Sequence, residues 1–169
     1  MKNQTFEGFL SPEQRTALSK QFIGGALPLF EYAPEKCAVD GIIAAAHFLA
    51  PDFTLLGDCV FLTAIMPPAF DEASYREMEQ RYHGDHSAME RWMNAWAIGS
   101  FFLNAGTEYM DDEPVLNAFT DCLIYHWGQR LKALFPEWKF VFETGFEIEG
   151  ELGYTITFYR KRNPQETAL

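Results

Sequence analysis

Basic residues are scarce in this chain. It has 13 lysines and arginines against 24 aspartates and glutamates, which gives a formal net charge of −11. A surface of that sign repels phosphate backbones, so direct binding of nucleic acid is disfavoured. The one basic cluster, Arg160-Lys161-Arg162, follows a predicted strand, where such charges typically keep a sheet edge soluble. The acidic balance suits a protein partner that is itself basic, but it also serves plain solubility, which is the favoured explanation.

Cysteine is also rare, and its spacing excludes the common cysteine frameworks. The three residues, Cys37, Cys59 and Cys122, are far apart and odd in number. No CxxC or Cys/His zinc pattern is present, so disulfide scaffolds and standard zinc motifs are both disfavoured. The first 14 residues lack the apolar core of a signal peptide. Unpaired thiols without an export signal predict a cytoplasmic protein.

The usual signatures of catalysis and membrane insertion are missing. The sequence has no P-loop, no dinucleotide glycine fingerprint, no GxSxG elbow and no calcium-loop pattern, so it predicts no cofactor. Its apolar runs are too short and too interrupted to cross a membrane, and no membrane association is expected. It contains no internal repeat and no linker, and its 169 residues predict one globular domain over residues 1–169.

Aromatic side chains, by contrast, are plentiful, with 16 phenylalanines alone. The most apolar helix-length stretch is residues 87–105, SAMERWMNAWAIGSFFLNA. Ser87 and Glu90 fit a capping box, and Trp92 and Trp96 belong to an apolar stripe at helical spacing. A helix that is apolar nearly all round is normally buried. The pattern therefore predicts a central helix over residues 87–105, around which the other elements pack.

The remaining elements predict an α+β fold. Four more helices are predicted over residues 12–23, 35–50, 72–82 and 113–134, from apolar faces, proline stops and N-caps. The N-caps include Ser11, which fits a capping box with Gln14, and Asp71. Apolar, β-rich runs predict strands at 53–56 and 59–66, with a turn or bulge at Gly57-Asp58 between them, and alternating residues after Trp138 predict a C-terminal hairpin. Runs of helices followed by a hairpin favour a small antiparallel sheet of three or four strands packed with about five helices.

Histidine clusters once, in the tetrapeptide His83-Gly84-Asp85-His86, which connects two predicted helices. Two imidazoles and a carboxylate can bind a divalent metal, or act as a base with its orienting carboxylate. His47 and His126 lie on other predicted helices and are candidates to complete such a site. The spacing matches no standard metal signature, however, and a helix-opening turn with Asp85 at the helix start explains the same residues.

Four glutamates, at positions 143, 147, 149 and 151, lie on the predicted hairpin. Paired carboxylates can hold a hard cation, but on an exposed strand they more often form a solvated acidic face. We expect the second of these for this chain.

Two functional hypotheses follow from these patterns. The first is a non-catalytic protein-interaction module, of the immunity or inhibitor type or a homodimer. In this hypothesis Trp92, Met93 and Trp96 are the interface anchors, and the acidic field steers the partner protein. The alternative is a small enzyme, or a protein that binds a ligand or a divalent metal, with its site around His83, Asp85 and His86.

Overall fold

The computed structural model describes residues 8–102 and 109–162, and these ranges contain six α-helices and five β-strands. The α+β class predicted from the sequence is confirmed. Contacts divide the chain into two compact units, one of Met1–Ala50 with Tyr109–His126, the other of Pro51–Glu108 with Trp127–Leu169. The expectation of a single domain stays a prediction. None of the helices in the described ranges has both the length and the apolarity of a membrane span.

The first unit is helical. It contains α1 (Pro12–Ile23), α2 (Leu29–Lys36), α3 (Val39–Leu49) and the first part of α6 (Glu113–Leu134). Ser11 caps α1 through a capping box with Gln14, as the sequence predicts, and Gly24 ends the helix in the left-handed conformation. The predicted helix over residues 35–50 is wrong in extent. Cys37 is extended and separates α2 from α3.

The second unit begins with a hairpin of β1 (Phe53–Leu56) and β2 (Cys59–Leu62), joined by a two-residue turn. The helix α4 (Glu72–Arg81) follows, and Asp71 caps it by accepting a hydrogen bond from the Ser74 amide. Near the C-terminus, β4 (Phe140–Phe146) and β5 (Tyr154–Arg160) form the predicted antiparallel hairpin. The buried Phe158 ring is the centre of the aromatic core, against which Phe53 and Trp127 pack edge-on.

The predicted central helix over residues 87–105 is wrong. The helix α5 (His86–Met93) is eight residues long, and Asp85 caps it where Ser87 was expected to do so. After α5 the chain forms a two-residue strand, β3 (Trp96–Ala97), which pairs with β5, and then a 3₁₀ segment over Ile98–Phe102. Residues 103–105 of the predicted helix lie outside the described residues.

Glu90 of α5 and Asn94, the C-cap of the same helix, explain why the strands form two sheets instead of one. Glu90 and Asn94 are fully buried and lie between the edges of β2 and β5. Glu90 accepts from the amides of Val60 and Arg160, and Asn94 donates to the carbonyl of Phe158. These groups satisfy edge positions that would otherwise pair strand to strand. The result is a two-stranded sheet, β1-β2, and a three-stranded sheet, β3-β5-β4.

The turn between β1 and β2 gives a first testable prediction. Gly57 has a φ of +61°, and a Cβ at this position would lie 2.5 Å from the Tyr75 hydroxyl oxygen. We expect Gly57→Ala to lower the free energy of unfolding by about 1–3 kcal/mol in a urea titration. The matched control is Gly84→Ala, which has a similar positive φ but open space around the new Cβ. Equal losses in the two variants would contradict the steric part of this explanation.

Candidate functional site

The predicted histidine loop separates into residues with different roles. His83 is exposed and has a φ of +53°, so it belongs to the turn between α4 and α5. Asp85 is the N-cap of α5, and its carboxylate accepts from the Ala88 amide at 2.9 Å. His86 alone turns its ring towards other ionisable groups. The tetrapeptide as a unit is therefore a helix-opening turn with one histidine directed into the fold.

His86 lies between two carboxylates. Its Nδ1 atom is 2.6 Å from Asp58 Oδ1, and its Nε2 atom is 2.7 Å from Glu79 Oε1. Asp58 comes from the β1–β2 turn and Glu79 from α4, so the imidazole connects the hairpin, α4 and the start of α5. The Nε2–Glu79 contact is a short hydrogen bond, and Asp58 makes a close polar contact with Nδ1, so the two carboxylates together hold the ring in a fixed orientation.

Cys59 adds a thiol to this group. Its sulfur is 3.9 Å from Asp58 Oδ1, and the Asp58, Cys59 and His86 donor atoms all lie within 4.8 Å of one another. Burial, reinforced by the nearby Glu90 charge, raises the pKa of the Cys59 thiol to about 12, so the thiol is protonated at neutral pH. Burial also raises the pKa of Tyr75, whose hydroxyl lies 3.7 Å from the sulfur. The neutral thiol is a weak nucleophile.

Behind the thiol lies a buried ion pair, which the sequence patterns do not indicate. Arg162 Nη1 donates to Glu90 Oε2 at 2.7 Å, and the exposed fractions of the two side chains are 4% and 0%. Burial acts to lower the pKa of Arg162, but the hydrogen bond and charge of Glu90 outweigh it and hold that pKa above its usual value. The expectation that Arg162 only keeps a sheet edge soluble is therefore wrong.

His47 and His126 belong to the first unit and not to the unit that contains His86. His47 is exposed on α3. His126 is partly buried on α6, where its ring packs edge-on against Phe9 and Tyr125 at centroid distances of 6.0 and 5.1 Å. These environments are those of a surface residue and an aromatic packing residue. Their participation in a site with His86 stays a prediction.

The three predicted interface residues line one cleft in the second unit. Trp92, Met93 and Trp96 form one side of a depression of about 450 Å³, and Glu149 and Glu151 belong to its lining as well. Trp92 is 40% exposed, whereas Met93 is buried. The sequence indicates the aromatic residues but not the carboxylates, because the hairpin approaches α5 only in the folded chain.

Arg91 organises the acidic side of this cleft. Its guanidinium binds Glu149, and its Nε donates to Glu143 Oε2 at 2.9 Å. Partial burial acts to raise the pKa of Glu143, but hydrogen bonds from Tyr159 and Arg91 outweigh it and hold that pKa below its usual range. The expected solvated acidic face is thus wrong for Glu143 and Glu149. Within the described ranges, Glu151 forms no ion pair.

Apolar side chains are exposed in the first unit. The helix α3 buries none of its residues, and Val39, Ile42 and Ile43 are exposed along it. On α2, Phe30 is 91% exposed. Exposed apolar groups of this size are typical of contact surfaces. The predicted homodimer nevertheless stays a prediction.

The chain matches no protein-family model, no curated protein and no solved structure. Its function must therefore be inferred from the geometry of its own sites.

Proposed function

We propose that this protein is a non-catalytic interaction module that binds a basic segment of a partner protein in the cleft beside α5. An immunity or inhibitor protein is one form of such a module. The observation that carries the proposal is the combination of two tryptophans, Trp92 and Trp96, with two carboxylates, Glu149 and Glu151, around one depression. Aromatic faces next to carboxylates match the chemistry of an arginine or lysine side chain.

The existing contacts at this cleft support a guanidinium as the bound group. Arg91 of the protein itself already binds Glu149, so this edge of the cleft is suited to a guanidinium. Arg81 lies over the Trp92 ring with its Cζ atom 6.0 Å from the centroid, which is cation–π distance. An incoming arginine would find Glu151 as its carboxylate partner and would replace Arg81 against the Trp92 ring.

The net charge of −11 supports the same partner at longer range. A field of this sign raises the association rate of a basic protein and disfavours nucleic acid. The three free cysteines support a place in the reducing cytoplasm. The negative charge fits a module in which the cleft provides specificity and the electrostatic attraction of a basic partner raises the association rate.

Fluorescence titration with a hexa-arginine peptide tests this proposal. We expect saturable quenching or a spectral shift of the tryptophans, and no response to a hexa-glutamate peptide at the same ionic strength. Trp92→Ala is expected to weaken the affinity for hexa-arginine by about 30-fold, because exposed tryptophans at the centre of a contact typically contribute about 2 kcal/mol or more.

Two charge variants separate the cleft from the general acidic field. Glu151→Gln removes the carboxylate within the cleft, and Glu77→Gln removes an exposed carboxylate of α4 with the same change in net charge. We expect Glu151→Gln to weaken binding by about 2- to 5-fold and Glu77→Gln to leave it unchanged. The outcome that would contradict the proposal is equal affinity for the peptide in all three variants, Trp92→Ala, Glu151→Gln and Glu77→Gln. In that case the peptide binds through the overall negative charge alone, and the proposed cleft is wrong.

A further inference from the structure

We infer that Asp58, Cys59 and His86 form a binding site for one divalent transition-metal ion of the zinc class. This site is separate from the proposed peptide cleft and does not depend on it. The donors are a carboxylate oxygen, a thiol sulfur and an imidazole nitrogen from three different positions of the second unit: a turn, the first residue of β2 and the first residue of α5. Zinc binds this combination of ligands in proteins.

The distances between the donor atoms suit a tetrahedral ion after a small adjustment. Zinc–ligand bonds of about 2.0–2.3 Å place neighbouring ligand atoms about 3.3–3.6 Å apart. The Asp58 Oδ1 atom is 3.9 Å from Cys59 Sγ and 2.6 Å from His86 Nδ1. The Asp58 side chain is 41% exposed and so has room to move by the required amount, which is less than about 1 Å.

Glu79 provides an independent indication of a metal site. It lies 2.7 Å from His86 Nε2, on the side of the imidazole that faces away from Asp58 and Cys59. Histidines that bind metals almost always donate their second ring N–H to a carboxylate, a backbone carbonyl or a water, and Glu79 is a carboxylate in this position. With Nε2–H donating to Glu79, any proton held between Nδ1 and Asp58 leaves to solvent when the ion binds, and the Nδ1 lone pair then faces the metal. Glu79 is thus a positioning residue for His86.

The surrounding charges balance a divalent cation. The ionised Asp58 carboxylate and the Cys59 thiolate together neutralise a charge of +2, and the thiol proton leaves to solvent when the ion binds. Arg162 approaches the sulfur to 3.8 Å, but its charge is already paired with buried Glu90. Arg162 also donates to the second oxygen of Asp58, and Arg160 Nη1 lies 3.5 Å from the same oxygen, which leaves Oδ1 directed at His86.

The soft sulfur ligand selects the class of metal. Magnesium and calcium prefer oxygen ligands only, whereas zinc and cobalt accept sulfur, nitrogen and oxygen together. Three protein ligands leave one coordination position for water, as in zinc sites that are open to a substrate. The geometry therefore points to an open site with a single thiolate.

Titration of the purified protein with Co²⁺ tests this inference by absorption spectroscopy. We expect one Co²⁺ per chain, with a thiolate-to-cobalt charge-transfer band in the near ultraviolet and the strong visible bands of tetrahedral cobalt. Zn²⁺ should abolish both sets of bands by displacement. The absence of the charge-transfer band at saturating Co²⁺ would overturn the inference without any variant.

Four variants test two of the three ligands, the positioning residue and a control. Cys59→Ala and His86→Ala should each abolish the charge-transfer band, and circular dichroism establishes that they are folded. Glu79→Gln should keep the band but weaken Co²⁺ affinity by about 10- to 100-fold, the usual effect of losing a carboxylate behind a metal-binding histidine. The matched control is His83→Asn, which removes the neighbouring exposed histidine and tolerates its positive φ.

We expect His83→Asn to bind Co²⁺ with unchanged affinity. A charge-transfer band that survives in Cys59→Ala would show that another thiol binds the ion and would overturn the site. Equal loss of affinity in His83→Asn and His86→Ala would place the metal on the loop surface instead. A Glu79→Gln variant with wild-type affinity would contradict the positioning role. None of these outcomes depends on peptide binding, so this site and the proposed cleft can fail separately.

Discussion

Replacement of Glu90 by glutamine is expected to lower the free energy of unfolding by about 3 kcal/mol, because it removes the buried counter-charge of Arg162 and leaves only the partly exposed Asp58 carboxylate, 3.3 Å away. The carboxylate is fully buried and accepts three hydrogen bonds, from the amides of Val60 and Arg160 and from the Arg162 guanidinium, each at 2.7 Å. A typical domain is stable by about 5–15 kcal/mol, so a loss of this size is a large share of the total. Urea denaturation followed by circular dichroism measures it.

The control for this variant is Glu72→Gln, which removes a carboxylate from an exposed pair with Arg76 on α4. We expect no measurable change in that variant, because exposed pairs contribute little. The double variant Glu90→Gln/Arg162→Gln should lose less than the sum of the two single variants, since it leaves no buried charge unpaired. A Glu90→Gln protein within 1 kcal/mol of wild type would contradict the role of this ion pair.

Replacement of Asn94 by alanine is expected to cost about 3–5 kcal/mol. The Asn94 amide group accepts from the Leu62 amide at 2.9 Å and donates to the carbonyls of Val60 and Phe158. Its removal leaves three buried backbone groups without partners, and each such group costs about 1–3 kcal/mol. The side chain has no other bonds in the described ranges, so the loss should come from these positions.

Amide hydrogen exchange distinguishes this explanation from a general loss of packing. In Asn94→Ala, the Leu62 amide should lose protection more than the amides of β4, which pair strand to strand with β5. Asn94→Asp keeps an acceptor for Leu62 but sets a carboxylate oxygen against two carbonyls, so we expect it to be at least as unstable. Uniform protection loss across β2 and β4 would contradict the bridging role of Asn94.

Local sequence patterns predicted correctly those elements whose formation depends mainly on their own residues. The helix over residues 113–134 has the predicted bounds, and Ser11 and Asp71 are the predicted N-caps. The turn after Leu56 and the C-terminal hairpin were also predicted, because turn residues and a period of two are local signals. These elements fix the fold class without long-range information.

The prediction of a long central helix was wrong because the end of this helix depends on partners far along the chain. Asn94 hydrogen-bonds to strands 32 and 64 residues away, and Trp96 pairs with Ile156 in β5. Apolarity and helical spacing cannot distinguish a long buried helix from a short one that is followed by a strand. The polar Asn94 within an apolar run was the one available signal, because a buried amide requires hydrogen-bond partners.

The candidate sites were predictable only in part for the same reason. The sequence indicates His86 and the tryptophans, since these residue types are rare or prominent. Asp58 and Glu79 lie 28 and 7 residues before His86, and only the packing of the hairpin and α4 brings them to the imidazole. Glu90 fitted a capping box with Ser87, yet its carboxylate is buried against Arg162. Ion pairs between distant residues leave no periodic pattern in the sequence.

Site-resolved binding tests the proposed cleft most directly. The chain has four tryptophans, and their indole N–H resonances are followed by nuclear magnetic resonance during titration with hexa-arginine. Trp127 is buried in the core and Trp138 stacks on Phe135, so these two serve as internal references. We expect the Trp92 and Trp96 resonances to shift together and to saturate, with the references unchanged. Shifts confined to Trp138, or no saturable shift at Trp92 and Trp96, would contradict the proposal that this cleft binds a basic partner.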